Sequence, residues 1–311
     1  MNPAPIVLFV YNRPIHTLRT LRALQANKGA EESSLFIFAD GPKSDSSPGN
    51  LANIRAVREI IRQEQWCKTV TIEESVQNKG LGASVIAGVT QIVNASGKVI
   101  VLEDDLVSSA YFLQFMNEAL ECYEHSESVG CISGYNYPLK GKVPETYFIK
   151  NGECWGWATW KRSWTLFNAD GKSLLSALED RNLIADFNFQ NSYPYSAMLK
   201  GAIEGKNNSW AILWYASLFL ENKYCLYPGH SLIQNEGNDG SGIHCETNQL
   251  YEVILATAPV LVKHIPIEEH KQMKKKIASF FKTLPPGSMT KRLLLQITPG
   301  FLVSFLKKYR F

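Results

Sequence analysis

The chain has 311 residues, 45% of them hydrophobic and 20% charged, a composition that builds a buried core and excludes a disordered chain. A net charge of +3 gives no reason to expect a nucleic-acid partner, but the charge is unevenly placed. Residues 1–259 hold 21 basic against 27 acidic side chains, and residues 260–311 hold 11 against 2. Of the six cysteines no two form a CxxC pair, which excludes a zinc-ribbon or thioredoxin-type site. Cysteines set in apolar runs suit a reducing compartment. The run Ile6 to Val10 is long enough for a strand and too short for the core of a secretory signal. The longest late uncharged run, Leu293 to Leu306, has 14 residues and is broken by Pro299-Gly300, against the roughly 20 that a membrane span needs. A cytoplasmic protein is expected.

In chain order, Ile6 to Val10 reads as a buried strand, and Pro14 suits the first turn of a helix carrying Leu18, Leu21 and Leu24. Leu35 to Ala39 is a second strand ending in Asp40-Gly41-Pro42, and Leu51, Ile54, Val57 and Ile61 mark the next helix. Val70 to Ile72 is a short strand, and Asn78-Lys79-Gly80-Leu81-Gly82 turns into a helix bearing Ile86, Val89 and Val93. Lys98 to Leu102 is a strand that runs into Glu103-Asp104-Asp105, followed by an amphipathic helix from Phe112 to Tyr123. Residues 131–259 are less regular and hold every tryptophan except Trp66; Trp210 to Leu218 fits a helix and Tyr224 to Tyr227 a strand. Apolar strands separated by helices indicate a mostly parallel sheet covered on both faces. Ligands of such sheets bind beyond the carboxyl ends of the strands, where this chain places Asn12-Arg13, Asp40-Gly41 and the acid triplet.

Three consecutive acids after a buried strand repel one another, and a hard divalent cation would neutralise them. The plain alternative is a solvated helix start, where acids are also favoured. The strand running into Glu103-Asp104-Asp105, preceded by the glycine turn and a helix, resembles the nucleotide-sugar half of the GT-A glycosyltransferases. The triplet is similar to their DxD motif in the form seen in the N-acetylglucosaminyltransferase I group. The stretch from Val7 to Pro14 resembles the opening strand of family 2-like glycosyltransferases. The stretches from Cys154 to Trp160 and from Asn235 to His244 look like later blocks of bacterial family 2-like sugar transferases.

The resemblance implies a GT-A fold, an α/β Rossmann-like, mostly parallel central sheet flanked by helices. Residues 1–130 would form its nucleotide-sugar-binding half and residues 131–259 its acceptor-binding half, with residues 260–311 a basic, amphipathic helical extension. The implied activity is metal-dependent, inverting transfer of a hexosyl group from a UDP-sugar, or another nucleoside diphosphate sugar, to a glycan hydroxyl in bacterial surface polysaccharide or lipopolysaccharide synthesis. Asp105 would bind the Mn²⁺ or Mg²⁺ that bridges the donor phosphates, with His244 the candidate third metal ligand; a surface histidine in a glycine-rich loop is the alternative. Asp104 and Glu103 would contact ribose, uridine or the metal's waters, and Tyr11, Arg13, Asp40, Lys79 and Gly80 would lie against the nucleotide. Trp155, Gly156 and Trp157 would form the acceptor side, where an aromatic face suits a sugar ring; buried core packing is the alternative for the tryptophans.

An inverting transfer also needs a general base. The related group carries an acidic pair at a Trp-flanked helix start, and the matching stretch here, Trp210-Ala-Ile-Leu-Trp214, has no acid. Asp239, Glu153 and Glu236 remain, with Asp239 preferred because its glycine-rich loop lies near His244 in sequence. Two other readings stay open. A nucleotidyltransferase would carry a basic glycine-rich loop after the first strand, where this chain has Tyr11-Asn-Arg-Pro14; a catalytically weak carbohydrate- or nucleotide-sugar-binding protein would use the same aromatics. The basic, apolar tail suits an anionic bilayer surface, hence a peripheral enzyme on the cytoplasmic face acting on a lipid-linked glycan, with packing on the body as the competing role.

Overall fold

The computed structural model describes residues 3–237 and 249–284. Its first part alternates strand and helix: β1 (Ile6–Val10), α1 (Pro14–Gln25), β2 (Ser34–Ala39), α2 (Pro48–Ile60), β3 (Thr69–Glu74), α3 (Leu81–Ser96) and β4 (Lys98–Glu103). There follow β5 (Leu106–Ser108), α4 (Phe112–Cys122), β6 (Val129–Ser133), β7 (Thr146–Ile149), β8 (Trp157–Trp160), α5 (Lys161–Trp164) and α6 (Gly171–Asp180). The rest comprises α7 (Ile184–Phe187), α8 (Tyr195–Ile203), α9 (Trp210–Leu220), β9 (Tyr224–Pro228), β10 (Ile233–Asn235) and α10 (Lys271–Thr283). Local chemistry sets the boundaries. Pro14 opens α1, Ser47 accepts the Asn50 amide to cap α2, and the left-handed Gly97 ends α3.

One eight-stranded sheet carries the fold, in the order β3-β2-β1-β4-β8-β6-β9-β7. The first four strands are parallel, as continuous apolar runs such as the fully buried β1 require. β8 runs antiparallel to both its neighbours, β6 and β9 are again parallel, and β7 runs antiparallel at the edge. The sheet is therefore mixed but mostly parallel, with helices against it. The reversal of β8 matters for the site. Val101 of β4 lies opposite Trp157 of β8, so the chain enters β8 at the edge where β4 leaves. The loop before β8 thus sits beside the acid triplet. β10 pairs antiparallel with β5, Asn235 opposite Leu106, and brings a second loop to the same edge.

The first part of the basic tail belongs to the body. The Tyr123 hydroxyl donates to the Lys263 carbonyl and accepts from the Ile265 amide. The apolar face of α10 buries Met273, Ile277 and Phe281, and Lys274 is itself 6% exposed, held by Asp186 and by Glu269 at 2.9 Å. One face of this helix packs on the body, while Lys271, Lys275 and Lys282 stay exposed. Residues 285–311 lie outside the described residues, so the rest of the expected membrane-binding extension does too. Among the described residues no helix is long and apolar enough to cross a membrane.

Two glycines separate backbone strain from packing. Gly97 (φ 78°) faces open space, whereas a Cβ on Gly156 (φ 62°) would lie 2.5 Å from Ile233. Gly97→Ala should cost about 1 kcal/mol, the left-handed penalty alone. Gly156→Ala should cost about 3 kcal/mol, because overpacking adds to it. Urea unfolding of both variants measures the gap, and equal losses would mean that Ile233 yields without cost.

Candidate functional site

β4 carries its three acids to the carboxyl edge of the sheet. Arg13, just past the end of β1, reaches across: its Nη1 lies 2.9 Å from Asp105 Oδ2 and 3.6 Å from Asp104 Oδ1. Thr20 Oγ1 donates to the Asp104 carbonyl at 2.8 Å and fixes the turn. One guanidinium does not balance three carboxylates. Burial, then the charges of Asp105 and Asp104, push the Glu103 carboxyl well above its ordinary range. Burial and the Asp105 charge push Asp104 up to about 7, with Arg13 opposing. Asp105 Oδ1 is buried and has no hydrogen-bond partner among the described residues. The chain leaving β10 lies against this group. The Glu236 amide donates to the Asp105 carbonyl at 2.8 Å, and a Cβ on Gly237 would lie 2.1 Å from Asp105 Oδ2. Glycine at position 237 is what lets the backbone lie there.

The glycine turn is organised by Asp40. Its Oδ1 accepts from the amides of Gly41 and Lys79, both at 2.8 Å, and its Oδ2 from Asn78 Nδ2 and the Gly80 amide, both at 2.9 Å. Both oxygens thus fix the turn into α3. That turn leaves the 16-residue α3 without a side-chain cap, so its N-terminal amides face the same edge. Tyr11 sits beside the turn into α2, its hydroxyl accepting from Asn50 Nδ2 at 3.2 Å. Lys79 is exposed.

A cavity of about 280 Å³ opens in the second half of the chain. Its walls come from the loop after β6 (Tyr135, Tyr137), the loop before β8 (Glu153, Trp155) and the start of α8 (Tyr193, Tyr195). Ser209, Ala211 and Ile212 at the start of α9, together with Tyr251 and Phe281, complete it. Glu153 is 7% exposed. Its Oε1 accepts from the Cys154 amide at 2.9 Å and its Oε2 from the Tyr227 hydroxyl at 3.1 Å. Burial raises its pKa, and these donors only partly counter that. The start of α9 also touches the glycine turn: a Cβ on Gly82 would lie 3.1 Å from the Asn208 carbonyl oxygen.

The sequence-based candidates therefore divide. Glu103, Asp104, Asp105 and Arg13 form one cluster, with Asp40, Lys79 and Gly80 in the neighbouring turn. Glu153 and Trp155 line the cavity. Trp157 does not: it is fully buried, its ring among those of Trp164, Trp210 and Trp214, so it cannot stack on a sugar. Gly156 is buried, in a left-handed conformation against Ile233 and Phe112. Asp239 and His244 lie outside the described residues. Among the described residues no group of three or more His, Cys, Asp or Glu could hold a metal ion. Sequence reasoning missed Tyr137, Tyr193, Tyr195 and Phe281; the one signal was the density of aromatics after residue 131.

No protein-family model matches the chain. Among solved structures it is similar to TarS of S. aureus, with 13% identity and a TM-score of 0.41 over 74% of this chain and 36% of that one. It is also similar to TarS residues 1–349, with 12% identity and a TM-score of 0.40 over 74% of this chain and 59% of that one. UDP-glucose pyrophosphorylase, solved in complex with UDP-glucose, gives 14% identity and a TM-score of 0.34 over 72% and 90% of the two chains. The chain thus spans about a third of the length of TarS. At this level of similarity, function rests on the chain's own residues.

Asp104 gives a direct test of the charge balance. An unfolded Asp titrates at about 3.9, so between that pH and about 7 the folded state binds the extra proton. This contribution favours folding fully below about pH 4 and disappears as pH rises through 7. Asp104→Asn keeps a hydrogen-bond acceptor and removes the charge. It should stabilise the protein at pH 8 by on the order of 1–2 kcal/mol, a few degrees in Tm, and much less at pH 5. Thermal unfolding at both pH values is the check, and a variant no more stable than the parent at pH 8 would mean that Arg13 already balances the site.

Proposed function

We propose that the protein is a glycosyltransferase that moves a sugar from a nucleoside diphosphate donor, UDP-linked by the resemblance above, to a hydroxyl of a glycan. The observation that carries this reading is the meeting of two unlike sites at one sheet edge. A carboxylate cluster stands beside a free helix N-terminus, next to an aromatic cavity that holds a buried carboxylate. The first suits a diphosphate with its counter-ion. The second suits an acceptor ring.

The cluster fits a divalent ion. Acids outnumber Arg13, and Asp105 Oδ1 is buried without a partner among the described residues. Asp105, with Asp104, would hold Mn²⁺ or Mg²⁺, the other ligands coming from phosphate and water. Such an ion would neutralise charge on the leaving diphosphate. The α3 amides and Lys79 would take the phosphate face, and Arg13 would keep the acids in place. In the cavity Glu153 is the base this geometry supports. The acid missing from the start of α9 is supplied by Glu153 from the loop before β8, in the same cavity as Ser209 and Ala211. Its carboxylate would take the acceptor hydroxyl proton while the oxygen bonds to the anomeric carbon and the bond to the diphosphate breaks, giving inversion in one displacement. A base with a raised pKa is a stronger base, at the cost of activity on the acid side. A lipid-linked glycan at the cytoplasmic membrane face would suit the basic residues after α10.

UDP release from UDP-sugars with Mn²⁺ tests the reading; formation of a nucleoside triphosphate with pyrophosphate would instead indicate nucleotidyl transfer. Glu153→Gln should lower kcat by about 10²–10⁴-fold with UDP affinity unchanged. Asp105→Asn should remove the Mn²⁺-dependent part of UDP binding in calorimetry. Full turnover in Glu153→Gln would move the base to Asp239 or Glu236.

A further inference from the structure

We propose that the aromatic cavity is a subsite for a single uncharged pyranose ring, so that the acceptor is neutral where it is bound and an acidic sugar is rejected. Calling this ring the acceptor rests on the transfer reading; the ring's neutrality does not.

Three features of the cavity carry the inference. The first is its aromatic wall. Trp155 is half-buried, edge-on to Tyr135 at 4.7 Å and to Tyr251 at 5.6 Å. The C–H face of a sugar packs on such surfaces as an apolar body. The second is a set of uncommitted hydroxyls. Those of Tyr135, Tyr215 and Tyr227 donate to Tyr251, Phe187 and Glu153, respectively. Those of Tyr137, Tyr193 and Tyr195 hydrogen-bond no described residue, although Tyr137 is 9% and Tyr193 8% exposed. Burial holds Tyr137 and Tyr195 protonated, hence as donors. Hydroxyls open to a cavity and bonded to no described side chain are available to a ligand that brings its own.

The third feature is charge. No Lys, Arg or His lines the cavity among the described residues, and Glu153 stands in it. Lys274, on the helix that contributes Phe281, is committed to Asp186 and Glu269. A carboxylate or phosphate on the ligand would enter an apolar space beside a second negative charge with no counter-ion, which is costly. At about 280 Å³ the space is at the lower end of small-molecule pockets, roughly 300–1,000 Å³, and so suits one ring rather than a chain segment.

Matched probes test this on the full chain at pH 8: methyl glucopyranoside against methyl glucuronide, and the galactose pair likewise. These differ only in CH₂OH against COO⁻. Tryptophan fluorescence and saturation-transfer NMR read the affinities. At least one neutral member should bind, with its acidic counterpart weaker by 10-fold or more. Tyr137→Phe and Tyr195→Phe should each weaken the neutral ligand by roughly 2–10-fold and leave UDP affinity unchanged. Glu153→Gln should narrow the gap between neutral and acidic probes. Equal or tighter binding of the uronides, no binding of any neutral probe, or insensitivity to both tyrosine variants would overturn the proposal. Neutral-sugar binding with this pattern but without UDP-sugar turnover supports the subsite and removes the transfer reading. Turnover by a protein that prefers the uronide does the reverse.

Discussion

Arg13 carries the charge balance of the sheet's carboxyl edge. It leaves β1 and reaches the turn after β4, the strand beside it, so the contact depends on the parallel pairing of those two strands. Three carboxylates against one guanidinium leave an excess of negative charge, and the shifts of Glu103 and Asp104 toward the protonated state express it. A fold selected only for stability would not keep such a group, since neutral side chains would remove the repulsion. The neighbouring elements hold it in place. Thr20 fixes the Asp104 carbonyl, and β10 lays Gly237 against Asp105. The excess is the property a cation and a diphosphate would complete.

The reversed β8 brings the second half of the chain to that edge. In a continuous strand Trp155 and Trp157 would share one face. Gly156, left-handed, breaks the alternation, so Trp157 anchors the core among Trp164, Trp210 and Trp214 while Trp155 borders the cavity. The same bend sets Glu153 in the wall, where Tyr227 donates to it and Asn151 Nδ2 donates in turn to the Tyr227 hydroxyl at 2.6 Å. A short polar chain inside an apolar wall orients the carboxylate without neutralising it.

The strands and helices of the first part were legible because buried parallel strands are short apolar runs and their helices repeat at helical spacing. The acid triplet was legible because its neighbours in the chain are also its neighbours in space. What escaped depends on contacts distant in sequence. Nothing near Asp40 says that the Lys79 and Gly80 amides converge on it. Trp157 reads as an exposed aromatic until its partners from α5 and α9 are placed around it. The amphipathic face of α10 is plain in the sequence, but the surface it covers is not, so Phe281 could not be assigned to the cavity.

The two sites need opposite surroundings. On the transfer reading, the acid cluster would take a compensating cation, whereas Glu153 would gain basicity by being kept from one. Joining them in one pocket would weaken both, since an ion held by Asp105 would also lower the Glu153 pKa. The fold instead places them on separate strand ends, β4 and the entry to β8, adjacent along the edge. Gly237 lies against Asp105 and Tyr251 lines the cavity, so the segment 238–248 connects the two sites directly in sequence. Asp239 and His244 belong to that connection. On the transfer reading, donor and acceptor specificity could then vary on separate loops of a shared sheet.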